Sequence, residues 1–150
     1  MTRTLGNLTI ARPVAQVFNY VASSGHWPQW YPITKSVSGV VDRPGMPGET
    51  FVEKVSILGI PFTFFWTTTE NGFPHRYVFE GTSNAGGKAV ITYTLTPQGQ
   101  STLFTRELVY EQTNLIMKVL DALFIGRMVT RVSAKAVANL KSVIESLPRA

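Results

Sequence analysis

Residues 114–147 read NLIMKVLDALFIGRMVTRVSAKAVANLKSVIESL, and this stretch decides the fold. It contains no proline and a single glycine, Gly126, so turn signals are sparse until Pro148. Apolar residues recur in it mainly every three or four positions, which predicts one amphipathic helix. A straight helix of this length would span about 50 Å, too long for a small domain. We therefore predict a break near Gly126 and a main helix from about 120 to 147. The stripe comprises positions 119, 122, 123, 126, 129, 133, 136, 137, 140, 143, 144 and 147.

Upstream of this helix the hydrophobic period is two, which is typical of half-buried strands. Short clusters rich in glycine and proline separate the alternating segments, so consecutive strands should form an antiparallel meander. Pro13 stands where a short helix over residues 13–22 should begin, and residues 23–32 predict a second helical turn. The predicted strands are 5–10, 36–42, 49–58, 62–70, 76–81, 89–96 and 102–111.

This order of elements predicts the α+β class. We expect a seven-stranded, curved antiparallel sheet around one long C-terminal helix, with two short helices after the first strand. The 150 residues suit one domain, residues 1–150. A sheet that curves around a helix leaves a space between the two layers.

Composition narrows the functional classes. Cysteine is absent, which excludes disulfides, thiolate catalysis and cysteine-ligated metals. The net charge is +5, but the basic residues are scattered and are not interleaved with stacking aromatic residues, so we predict no nucleic-acid partner. No apolar leader or membrane-spanning run is visible, so we expect a cytoplasmic protein without stable membrane insertion, monomeric or homodimeric. His26 and His75 lack metal-ligand spacing, and we predict no metal or cofactor.

Six short segments give the chain its closest likeness to a known family. Their order and spacing resemble the polyketide cyclase/dehydrase-type branch of the START/Bet v 1-like (SRPBCC) superfamily. The resemblance covers nearly the whole chain and implies a helix-grip fold with an internal cavity for lipids, hormones or polyketides. It implies no shared catalytic motif, because only some members are enzymes. The segments are RPVAQVF at 12–18, WPQWYP at 27–32, PGE at 47–49, RYVFEG at 76–81, YTLTP at 93–97 and NLK at 139–141.

Successive side chains of a strand point to opposite faces of the sheet, and this alternation places many large aromatic side chains on the predicted inner face. Plain core packing explains any one of them, but together they form apolar walls with a few polar groups, as a ligand pocket requires. We expect a cavity of about 300 Å³ or more, with residues 27–32 and 57–62 at its mouth. The predicted lining residues are Phe64, Trp66, Tyr77, Phe79, Tyr93, Phe104, Arg106 and Tyr110 from the sheet, and Phe124 and Met128 from the helix.

Two charged residues share parity with apolar neighbours. Glu53 alternates with Phe51 and Val55, and Arg106 alternates with Phe104 and Leu108. Buried charges are rare unless they are paired or functional. A local bulge could instead turn either residue outward.

Three functions remain open at this point. The first is binding of an apolar or aromatic small molecule that is lipid-, polyketide- or quinone-like. The second is a cyclase/dehydratase-type enzyme, with Glu53 or Arg106 as the candidate catalytic groups. The third is a lipid or quinone carrier that delivers its cargo to a partner.

Overall fold

The computed structural model describes residues 2–114, 118–119, 122 and 126–149. Its single sheet has seven antiparallel strands in the order β1-β7-β6-β5-β4-β3-β2. The strands from β2 to β7 pair in sequence order, and β1 pairs with β7 as an edge strand of the sheet. The strands are β1 (Thr2–Ile10), β2 (Thr34–Gly39), β3 (Thr50–Ile57), β4 (Ile60–Gly72), β5 (Arg76–Ser83), β6 (Lys88–Gln98) and β7 (Ser101–Glu111).

Helices occupy the inner side of the sheet. Helix α1 (Val14–Ala22) is followed by a 3-10 turn (Ser24–His26) and the four-residue helix α2 (Trp27–Trp30). The long C-terminal helix α3 (Gly126–Glu145) packs against β1 and α2. This arrangement confirms the α+β, helix-grip prediction.

The described part of helix α3 starts at Gly126, and the predicted break before or near this residue falls next to positions outside the described residues. The helix ends at Glu145, two residues before the predicted end, and Leu120, where we placed its start, lies outside the described residues. One face of the helix is buried, and Gly6 of β1 permits its close approach, because a Cβ there would lie 3.2 Å from Cγ2 of Val137. The buried residues of α3 are Val129, Ser133, Ala136, Val137, Leu140 and Ile144.

The C-terminal end of α3 is held by a side chain from the β1–α1 connection. The Arg12 guanidinium donates to the backbone oxygens of Glu145 and Leu147 at 2.5 and 2.8 Å. These carbonyls lack partners within the helix, so a cationic donor stabilises them. The contact fixes how α3 lies across the sheet.

Several strands are longer than the sequence predicted. β1 begins at Thr2 because its pairing with β7 extends to Thr2 opposite Tyr110. β4 runs on to Gly72 through a register shift between Thr68 and Glu70. Among the described residues, no helix is long and apolar enough to cross a membrane.

Candidate functional site

A cavity lies between the inner face of the sheet and the α2 and α3 helices. Its volume is about 90 Å³, several times the ~10–15 Å³ that one water needs. It is smaller than the roughly 300 Å³ that we expected, because large rings such as that of Phe79, which is fully buried, fill the space. The predicted residues that line it are Phe64, Trp66, Phe79, Tyr93, Arg106 and Tyr110.

Three of the predicted residues do not line this cavity. The Tyr77 hydroxyl lies 2.8 Å from Oγ1 of Thr68 and accepts from the backbone N–H of Gly45. Phe104 is fully buried in the core, with its ring 5.3 Å from that of Tyr93. Met128 is half-buried and packs against the core. Phe124, also predicted, lies outside the described residues.

Glu53 is a buried acid in the cavity wall. Its side chain is held by Oγ1 of Thr34, which donates to Oε2 at 2.5 Å, and by Nε1 of Trp66, which donates to Oε1 at 3.0 Å. Burial raises the pKa of Glu53, and the two hydrogen bonds offset only part of that effect. The neutral acid form is therefore favoured relative to an exposed glutamate.

Arg106 is a buried cation on the opposite arm of the sheet. Its Nη1 donates to Oγ of Ser133 on α3 at 3.3 Å, and its guanidinium carbon lies 4.6 Å from the centre of the Tyr31 ring. The pKa of Arg106 is raised: burial lowers it, and electrostatic interactions with Tyr31, Tyr93 and Glu53, together with a hydrogen bond to Tyr31, more than offset that effect. Arginine keeps its charge in proteins, so the cavity wall carries a cation.

Glu53 and Arg106 both face the cavity but do not form a direct ion pair. β3 and β7 are separated in the sheet by β4, β5 and β6. The carboxyl is occupied by Thr34 and Trp66, and the described ion pairs do not include it. Each group still shifts the pKa of the other through the cavity. The cavity thus presents an acid at one wall and a cation at another.

The β3–β4 hairpin borders one end of the cavity. Ile57 and Phe62 line it from the two strands, and the other predicted segment, residues 27–32, contributes to the lining through α2. At the tip of the hairpin, Leu58 and Ile60 are 62% and 50% exposed. Exposed apolar side chains at a tip are unfavourable unless they are covered or used, so this end remains our candidate for the mouth.

Of the polar partners that hold the two charges, the sequence singled out Trp66 as a lining residue but not Thr34 or Ser133. Thr34 precedes the predicted second strand, but in the structure it starts β2 and is buried. Ser133 entered the prediction only as a position of the helical stripe. A serine on an otherwise apolar stripe was the available signal, because a buried hydroxyl needs a partner.

Among the described residues, no group of three or more histidine, aspartate or glutamate side chains is arranged to hold a metal ion. One of the two histidines is used locally: the His26 ring stacks on that of Tyr20, with ring centres 4.1 Å apart.

Comparisons with known proteins agree with this architecture. A family model described as polyketide cyclase/dehydrase and lipid transport matches residues 1–145, which confirms the resemblance seen in the sequence. No curated protein matches the chain.

Solved structures share the fold at low sequence identity. TTHA0849 from Thermus thermophilus is 13% identical, with a TM-score of 0.80 over 97% of this chain and 98% of its own. The Zhui aromatase/cyclase from Streptomyces sp. R1128 is 13% identical, with a TM-score of 0.75 over 96% and 93% of the two chains. A START superfamily protein from Mycobacterium smegmatis is 17% identical, with a TM-score of 0.69 over 96% and 94%.

Proposed function

Because the chain belongs to the polyketide cyclase/dehydrase and lipid transport family, we propose that it binds an apolar or aromatic small molecule in the cavity between the sheet and the helices. One observation carries the proposal: the cavity has mostly apolar walls yet includes two buried charged residues, Glu53 and Arg106. A core that only had to be stable would gain little from these charges, since burial of a charge is costly.

The size of the cavity favours a compact ligand. About 90 Å³ suits a group of the size of one small ring. A longer lipid- or polyketide-like molecule would have to displace lining side chains or extend through the end bordered by Ile57 and Phe62. Tightly packed aromatic walls would then select for shape as well as for apolar character.

Filling the cavity tests the proposal. Ala89 lies on the inner face of β6 and lines the cavity, so the larger side chain of Ala89→Leu would occupy the space that a ligand needs. We expect this variant to fold and to lose at least tenfold in affinity for toluene and phenol, measured by chemical-shift changes on titration.

The neighbouring residue provides a matched control. Val90 is on the outer face of the same strand and is 37% exposed, so Val90→Leu should leave affinity unchanged. If toluene and phenol bind Ala89→Leu and the unmodified protein equally, or bind neither, the cavity is not a binding site for compact apolar molecules.

A second candidate function is acid catalysis on a polyketide-like substrate. It is favoured by the buried carboxyl of Glu53 in the cavity wall, whose pKa is raised by burial, which favours the protonated acid relative to an exposed glutamate. Such a group can protonate a carbonyl or a departing hydroxyl, as a cyclisation or dehydration requires. Dehydration of a β-hydroxy ketone gives an enone and water, and the absorbance of the enone would measure the reaction.

For this candidate, Glu53→Gln should abolish turnover while leaving the affinity for the substrate within about threefold, because glutamine has the same shape and no acidic proton. Turnover that survives in Glu53→Gln would assign the chemistry elsewhere or to the uncatalysed reaction. Loss of affinity together with turnover would indicate a binding role for the carboxyl.

A further inference from the structure

Arg106 is supplied with fewer acceptors than a buried guanidinium can use. The group carries five N–H bonds and is 5% exposed. It donates to Oγ of Ser133 at a long 3.3 Å, lies over the Tyr31 ring and interacts with the hydroxyls of Tyr31 and Tyr93. Its Nε–H is buried without an acceptor. Most buried donors in proteins are paired, so this donor calls for an explanation.

A second unpaired donor lies on the same wall. Trp30 lines the cavity and is 1% exposed, and its Nε1–H is also buried without an acceptor. The Trp30 ring is 5.9 Å from that of Tyr31 and 6.4 Å from that of Tyr93, the two tyrosines that flank the guanidinium. Two residues of the cavity wall therefore each carry a buried N–H group without an acceptor.

The positive charge also lacks a direct counterion among the described residues. Two glutamates are among the described residues that line the cavity. Glu53 accepts hydrogen bonds from Thr34 and Trp66, and Glu111 is exposed at the end of β7. Neither forms an ion pair with Arg106. A buried guanidinium without a carboxylate is a strong site for an anion, and its planar fork matches two oxygen atoms of one group.

We propose that the ligand is a compact aromatic carboxylate, with its ring in the apolar part of the cavity and its oxygen atoms accepting from Arg106 and Trp30. This inference rests on the proposed function, since it names the chemical class that the same cavity selects. The apolar walls around Phe79 and Trp66 accommodate the ring, and the cavity volume of about 90 Å³ limits the molecule to about one ring. The carboxylate supplies both the charge and the acceptors that the wall lacks.

The test compares three molecules of similar shape: benzoate, benzamide and toluene. With the unmodified protein we expect benzoate to bind at least tenfold more tightly than benzamide and toluene, measured by isothermal titration calorimetry at low salt. Benzamide keeps an acceptor without the charge, and toluene has neither. If benzoate binds no more tightly than toluene while toluene does bind, the anion inference is wrong and the proposed function stands.

Substitution of the arginine separates recognition from packing. Arg106→Met keeps a long apolar side chain and should weaken benzoate binding about 10- to 100-fold, the range for a charged hydrogen bond, while toluene affinity stays within threefold. Equal weakening of both molecules would mean that Arg106 only maintains the cavity's shape, and would overturn the inference.

A matched control and the unmodified protein keep the test decisive. Arg76 on β5 is half-exposed and paired with Glu70 at 2.9 Å, so Arg76→Met removes the same charge from the surface and should leave all three affinities unchanged. If Arg106→Met does not fold, the benzoate-to-toluene ratio of the unmodified protein still decides. If neither benzoate nor toluene binds, the proposed function fails together with the inference.

Discussion

Phe79→Ala is expected to lower the free energy of unfolding by about 3–5 kcal/mol, the range for loss of a large buried aromatic side chain. Phe79 is fully buried in the middle of β5. Its ring centre lies 5.0–5.7 Å from those of five other aromatic side chains, so truncation removes ring contacts with all five. These neighbours are Trp27, Phe51, Trp66, Tyr77 and Tyr93.

Urea unfolding at pH 7 measures the loss, and Phe65→Ala is the matched control. Phe65 directly precedes the buried Trp66 on β4 but is itself 52% exposed, so its truncation should change stability by about 0.5 kcal/mol or less. Equal losses in the two variants would contradict the placement of Phe79 at the centre of the aromatic core.

The same substitution enlarges the cavity, because Phe79 lines it. A molecule that binds only the folded state stabilises it. Toluene should therefore restore part of the stability of Phe79→Ala and have a smaller effect on the unmodified protein. Comparison of the thermal midpoint with and without toluene measures this rescue.

The layer architecture and the inner faces of the strands could be predicted from the sequence. Alternation has a period of two by geometry, so the burial of Glu53 with Phe51 and Val55, and of Arg106 between Phe104 and Leu108, follows from parity once the pairing is regular. The C-terminal helix could also be predicted, because its apolar residues recur at helical spacing and form a stripe that must pack against another element.

The alternation of side chains along a strand does not tell how far the cavity extends. For this reason Tyr77 and Phe104 were predicted to line the cavity but do not. Tyr77 shares a face with Phe79, but two positions along β5 its hydroxyl is already bound by Thr68 and the backbone of Gly45. Phe104 likewise lies opposite Leu8 and Leu95 in the sheet, where the core is filled.

The partners of the charges depend on tertiary contacts that no local pattern encodes. Thr34 contacts Glu53 from the preceding strand, β2, and Ser133 contacts Arg106 from a helical position 27 residues further along the chain. Spacing along the sequence carries no information about either contact. The expected cavity volume was also too large, because the packing of the aromatic rings against one another is decided only in three dimensions.

Glu53→Gln is expected to raise the free energy of unfolding at neutral pH and to remove a pH dependence from it. Burial raises the pKa of Glu53 in the folded protein, whereas the unfolded chain ionises near the ordinary value of about 4.3. Between these two pKa values the folded chain binds more protons than the unfolded chain. The contribution of Glu53 titration to the free energy of unfolding is therefore most favourable below about pH 4.3, where Glu53 is protonated in both states. It decreases as the pH rises through this window, by up to about 1.4 kcal/mol per pH unit.

Glutamine has no proton to lose, and it retains the shape and the acceptor that Trp66 Nε1 needs. Urea unfolding of both proteins from pH 4 to pH 8 should give curves that diverge with rising pH, with Glu53→Gln the more stable at the upper end. Glu49 supplies a control of opposite sign: its ion pair with Arg43 lowers its pKa to about 2, so its stabilising effect is present above about pH 4.3 and is lost as the pH falls towards 2. Glu49→Gln should accordingly lower stability at neutral pH. Parallel curves for the unmodified protein and Glu53→Gln would mean that the folded protein holds Glu53 ionised with no penalty, and the cavity wall would then carry an anion as well as the cation of Arg106.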